Sequence, residues 1–310
     1  MLTHSSLTPA RSQRSGGTAL LVLAGVLWGT GGLAGSLLAA SADLEPAAVA
    51  AYRLLTGGAL ITAYAVATGR LRSLPRTRRT ATRIATSGAL LALFQAAYFA
   101  AVQATSVGLA ALTTMVAVPV LVTTGSAVLD RRLPTPRATA SILIAVGGLA
   151  LLLDSPATST ANLTTGTALS LLAAAGFATL TLTHRTELPA QDRTATTGLG
   201  FLTGGVLLLP VGLTTGMALT PRPDTLAALA FLAAFPTAIA YTTYFAGLHR
   251  TTPTAGVIAV LLEPVTATAL SVLLRHDPLT ALQSLGAALV LTSIALQQTS
   301  PRADDSQVDG

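Results

Sequence analysis

Between residues 17 and 297 the chain alternates long apolar runs with short polar breaks. A helix that crosses a bilayer needs about 20 mostly apolar residues. Ten runs approach that length, at 17–40, 46–68, 84–104, 107–129, 138–154, 164–183, 196–216, 225–247, 253–274 and 279–297. Pro, Gly, Asp or Arg marks their ends. The pattern predicts an all-α integral membrane protein with ten transmembrane helices.

Composition agrees with the pattern. The chain is 51% hydrophobic and 10% charged, with a mean hydropathy of +0.66. Soluble domains carry about 25% charged residues. Cysteine is absent, which excludes disulfides, thiolate metal sites and a thiol nucleophile. The net charge of +6 would suit a nucleic-acid binder, but the basic residues are all Arg and cluster between apolar runs. Such clusters orient a protein in a membrane; nucleic acid is not an expected partner.

With the N-terminus inside, fifteen of the eighteen arginines fall in cytoplasmic segments and only Arg222 and Arg275 fall outside. That bias predicts cytoplasmic N- and C-termini in the cell membrane and an even number of crossings. Residues 1–16 read as a cytoplasmic tail, and 298–310, with Asp304, Asp305 and Asp309, as a disordered cytoplasmic end. The stretch "LLAASA", ending at Ala40-Ser41-Ala42, resembles a signal-peptide cleavage site. The apolar run before it is longer than a signal core, so a retained first helix is expected.

The chain also repeats itself. "GTAL" at 17–20 recurs at 166–169, and Trp28 then matches Phe177 at the same offset of 149. "LTGGAL" at 55–60 matches "LTGGVL" at 202–207, "YFA" at 98–100 matches 244–246, and Pro119 matches Pro264. The offset drifts by only four residues along the series. Two halves follow, 17–154 and 164–297, joined by the polar linker 155–163. Five helices per half is odd, so the second half enters from the opposite side. Inverted repeats of this kind belong to secondary transporters, whose substrate sites lie at the midplane between the halves.

At this point the chain resembles a known family. "LAGVLWGTGG" in helix 1, the Arg of "AAYRLL" in helix 2 and "LLEPVTATALSVLL" in helix 9 are similar to the EamA family of the drug/metabolite transporter superfamily. The resemblance spans nearly the whole chain. It implies export of small metabolites, often amino acids and their relatives, with no bound cofactor. Two turns depart from the family pattern: "LDRRLP" after helix 4, where a Gly-Glu pair is common, and "LRHDPLT" after helix 9, where Asp277 is the nearest carboxylate.

Only Arg53 and Glu263 carry charge at hydrocarbon depth. Such groups are costly unless paired or facing water, so each is a functional candidate. Their depths differ by roughly 5 Å at 1.5 Å per residue. Arg53 could instead snorkel or pair with Asp43 or Glu45, and Glu263 could be a protonated, hydrogen-bonded group beside a proline kink. Pro119 and Pro264 are expected to kink equivalent helices. Gln95 and Tyr98 share a helix face and match Tyr241 and Tyr244 at offset 146. These four and the mid-helix Trp28 are expected to line a cavity for an amphipathic ligand, although Tyr98 and Tyr244 also suit interface anchors. Gly31 and Gly35 are expected to mark close helix packing.

There is no Walker loop, no HExxH spacing and no in-span acid pair, which argues against a built-in ATPase or a membrane enzyme. The sequence therefore predicts an alternating-access exporter of small molecules, monomeric or homodimeric. A lipid-intermediate or drug translocator of the same fold, or a membrane enzyme or sensor, is the alternative. Proton coupling and passive facilitation both remain open.

Overall fold

The computed structural model describes residues 8–105, 107–152, 163–185, 192–275 and 280–298. Residues 155–162 of the linker, the turn containing Asp277 and the acidic tail beyond Gln298 lie outside the described residues. Among the described residues all regular structure is helical. The first half supplies α1 (Thr8–Ala42), α2 (Pro46–Ala67), α3 (Arg78–Ala104), α4 (Val107–Asp130) and α5 (Pro136–Leu152). The second supplies α6 (Leu163–His184), α7 (Arg193–Thr215), α8 (Pro223–Ala233), a π-helical turn (Ala234–Ile239) and α9 (Ala240–Leu248). It ends with α10 (Pro253–Val260), α11 (Leu262–Arg275) and α12 (Ala281–Gln298).

Eight helical segments are long and apolar enough to cross a bilayer. The fifth and last expected spans appear as shorter apolar helices, Pro136–Leu151 and Ala281–Leu296. The first helix begins at Thr8, nine residues before the expected span, so part of the expected N-terminal tail is helical. Large apolar side chains such as Leu143, Val206 and Leu213 are exposed on the outside of the bundle. In water such a surface would aggregate; in lipid it is the solvated face.

Helix pairing is closed under exchange of the halves. Helix α2 packs along α7, and α5 along α12. The contact of α3 with α6 is answered by α9 on α1, and that of α4 with α6 by α11 on α1. A bilayer gives helices no hydrophobic reason to associate, so close approach of backbones must hold them. The repeated "LTGG" motifs do this. A Cβ on Gly58 would lie 2.7 Å from the Leu202 backbone nitrogen, and one on Gly205 would lie 3.0 Å from that of Leu55. The two motifs thus grip each other reciprocally about the α2–α7 seam, and Ala at either position would force the helices apart.

Candidate functional site

Trp28 sits between two glycines that flatten α1 against the second half. A Cβ on Gly29 would lie 2.8 Å from the Glu263 carbonyl oxygen, and one on Gly25 would lie closer still to the Ala259 carbonyl. The indole projects from this seam into a cavity of about 140 Å³. Arg53 from α2, Gln95 and Tyr98 from α3, Tyr241 from α9 and Glu263 from α11 share its wall. Trp28 packs edge-on to Tyr241 at 4.8 Å and against Tyr244 at 5.0 Å between ring centroids. Its buried Nε1 has no hydrogen-bond partner among the described residues. A buried donor without an acceptor is costly, and a ligand acceptor would remove that cost.

Arg53 takes neither of its expected partners. Pro236 lacks an N–H, so the Leu232 carbonyl four residues earlier loses its helical donor. The Thr237 hydroxyl donates to that carbonyl at 2.7 Å, and the helix widens into the π-turn. Arg53 then locks the turn: Nη2 donates to the Pro236 carbonyl and Nε to Thr237 Oγ1, both at 3.1 Å. Its guanidinium carbon lies 6.0 Å from the centre of the Tyr241 ring, at the outer limit of a cation–π contact. Among the described residues no ion pair joins it to Glu263, although both line the cavity.

Glu263 also occupies a place the sequence pattern did not show. The ninth span was expected as one helix kinked at Pro264. It is broken at Leu261 instead, and Glu263 falls in the first turn of α11. Pro264 follows in the same turn, where a proline is tolerated because the first N–H groups of a helix have no partner to lose. The helix N-terminus carries partial positive charge, which favours a carboxylate there. Pro119, by contrast, sits inside an unbroken α4. Pro119 withdraws a donor from Met115, four places earlier, and Met115 lines the cavity.

The structure therefore gathers Trp28, Arg53, Gln95, Tyr98, Tyr241, Glu263 and Pro119 around one cavity, while Pro264 lies outside its lining. Tyr244 stands behind the lining, buried, with its hydroxyl 3.1 Å from Thr181 Oγ1. Sequence reasoning passed over Phe94, Phe99 and Thr114, which also face the cavity. Phe94 lies four residues before Tyr98 on the same helix face, a spacing that could have revealed it. Gly31 abuts Pro236 of the π-turn and Gly35 abuts Val49 of α2.

A bundle of apolar helices around a central cavity lined from both halves is the architecture of a multi-pass membrane transporter. The comparisons with known proteins give the class a name. The model of the EamA-like transporter family matches the chain twice, over residues 15–154 and 164–297, and the chain belongs to that family. It is 26% identical over 284 residues to the uncharacterized transporter YwfM of Bacillus subtilis strain 168, covering 91% of this chain and 93% of that protein. A crystal structure with 22% sequence identity superposes with a TM-score of 0.77 over 91% of this chain and 96% of the other, and it shares the fold.

Proposed function

We propose that the protein exports small organic metabolites, amino acids or related amphipathic compounds, through the cell membrane by alternating access. Residues 17–154 and 164–297 form two inverted five-helix repeats, which cross the bilayer ten times and leave both termini in the cytoplasm. The observation that carries this reading is the cavity itself. It offers a carboxylate, a guanidinium, a partnerless indole N–H and aromatic faces within one small volume. That set suits a zwitterion with an apolar side chain: amine towards Glu263, carboxylate towards Arg53 and Trp28. At about 140 Å³ the cavity is smaller than the roughly 300–1,000 Å³ of drug-sized pockets, which favours metabolites over drugs or lipids.

The test is untargeted metabolite profiling of the medium from cells expressing wild type, Glu263→Gln or empty vector, at two external pH values. A compound enriched by the wild type and not by the variant identifies the cargo. A variant that exports as well as wild type at equal expression would remove Glu263 from the transport cycle.

A further inference from the structure

Arg53 sits on the central cavity wall, and the π-turn decides which part of it is occupied. A guanidinium offers two forks of parallel N–H bonds, Nε with Nη2 along its side and Nη1 with Nη2 across its end. The turn takes the side fork whole: Nε donates to Thr237 Oγ1 and Nη2 to the Pro236 carbonyl. The end fork meets no acceptor among the described residues. A cation at hydrocarbon depth is costly without an anion, and both groups that hold this one are neutral.

The hold is rigid. The single Thr237 hydroxyl proton goes to the Leu232 carbonyl, so the oxygen can only accept from Arg53. Thr237 is fully buried with its methyl group against Gly57 of α2, and Pro236 abuts Gly31 of α1. A long side chain fixed in advance loses less freedom when a ligand arrives. Nor does the fold itself require the arrangement. At the repeat offsets Arg53, Pro236 and Thr237 correspond to Gly200, Leu90 and Leu91, and α3 runs without a π-turn. The cation and the turn that seats it belong to one side of the duplication only.

We propose that the π-turn aims the end fork of Arg53 into the cavity as a two-pronged seat for a carboxylate, with Thr237 as its positioning residue. A carboxylate presents two coplanar oxygens that match the fork, whereas an alcohol or a neutral amide presents one. The partnerless indole N–H of Trp28 in the same wall supplies a further donor. That the carboxylate belongs to an exported cargo rests on the transport reading; the seat itself does not.

The test uses the full chain in a neutral detergent. Trp28 is the only tryptophan, so its emission reads the cavity without background. The probes are isovalerate, a small carboxylate with an apolar tail, and isovaleramide, which keeps the shape without the charge. Sodium chloride controls for ionic strength. Isovalerate should bind at least about tenfold more tightly than the amide, the scale of a charge-assisted pair over a neutral contact. The ratio of the two affinities is the quantity to read, because a general loosening of the cavity weakens both alike. Thr237→Val keeps the shape and removes the hydroxyl, and should bring that ratio close to one. Thr237→Ser should restore most of it. Arg53→Lys leaves Thr237 and its bond to Leu232 in place, keeps the charge and removes the fork, so it too should lower the ratio. A wild type that answers both probes equally or neither, or a wild-type ratio in Thr237→Val or Arg53→Lys, would overturn the seat. Isovalerate binding with no exported metabolite would leave the seat standing and remove the transport reading. An exported compound without a carboxylate, together with no isovalerate response, would do the reverse.

Discussion

The two ends of the bundle descend from the same repeat and are closed differently. At one end Tyr244 and Phe245 of α9 are buried. Tyr244 pairs with Thr181, and Phe245 stacks on His184, which Ser87 holds in place. At the other end the matching residues of α3, Tyr98 and Phe99, are half-exposed on the cavity wall. The counterparts of Thr181 and His184 there are Gly32 and Gly35, and that of Ser87 is Ala233. A Cβ on Gly32 would meet nothing within 4 Å. The aromatic pair was duplicated and its hydrogen-bonding support was not. The contacts that hold the aromatic pair at one end are thus not repeated at the matching positions of the other.

The most disruptive way to break the comparison is Tyr244→Ala. The ring is fully buried against Trp28, Phe177 and Phe245. Losing a buried aromatic costs about 3–5 kcal/mol. The substitution should lower the melting temperature and also loosen the Tyr244 end of the bundle. The chain contains no cysteine, so a single Val257→Cys in the cavity wall reports access without background. Maleimide supplied at that end should label it faster in the Tyr244→Ala background. Tyr98→Ala should change labelling from that side little. Equal effects would mean that the two aromatic pairs are equivalent.

A second difference separates the halves. Helix α3 runs unbroken, whereas its counterpart is split by the π-turn. The position matching Pro236 is Leu90, so α3 has no missing donor to accommodate there. Arg53 is the tie on the irregular side. Arg53→Lys keeps the charge but cannot make the two-pronged contact with Pro236 and Thr237. Hydrogen bonds to charged groups contribute about 1.5–3 kcal/mol, so a stability loss of that order is expected. Full stability with Lys would mean that charge alone matters there.

How much of this was legible follows from what each signal encodes. In-span charge is rare enough to single out Arg53 and Glu263, and duplication pointed to Gln95, Tyr98, Tyr241 and Tyr244 together. Periodicity could not show that Tyr244 supports the wall from behind while Tyr98 forms it, because both occupy the same repeat position. Nor could it show the break at Leu261, since Pro264 three residues later carries the visible signal. Along the chain Pro236 carries no signal beyond that of any mid-helix proline. Its consequence depends on Thr237 and on Arg53, 183 residues away. Arg70, Arg83, Arg193 and Arg250 appeared only as orientation signals, because a charge count along the chain does not say which of them line one cavity.

The smallest effect sharpens the comparison through pH. His249 lies at the Tyr244 end, and its counterpart at the other end is Gln103, which does not titrate. Burial, Arg193 and Arg83 lower the His249 value from 6.5 to about 4. Below 6.5 the unfolded chain therefore binds a proton that the folded chain refuses. Stability contributed by the neutral imidazole is present above 6.5 and is lost as pH falls from 6.5 towards 4. His249→Gln, which makes the two ends alike at this position, should flatten that part of the melting-temperature profile. Other groups add their own slopes, so the difference between wild type and variant is the quantity to read. A parallel pair of profiles would show that the arginines do not reach His249, and would weaken the electrostatic contrast between the two ends with it.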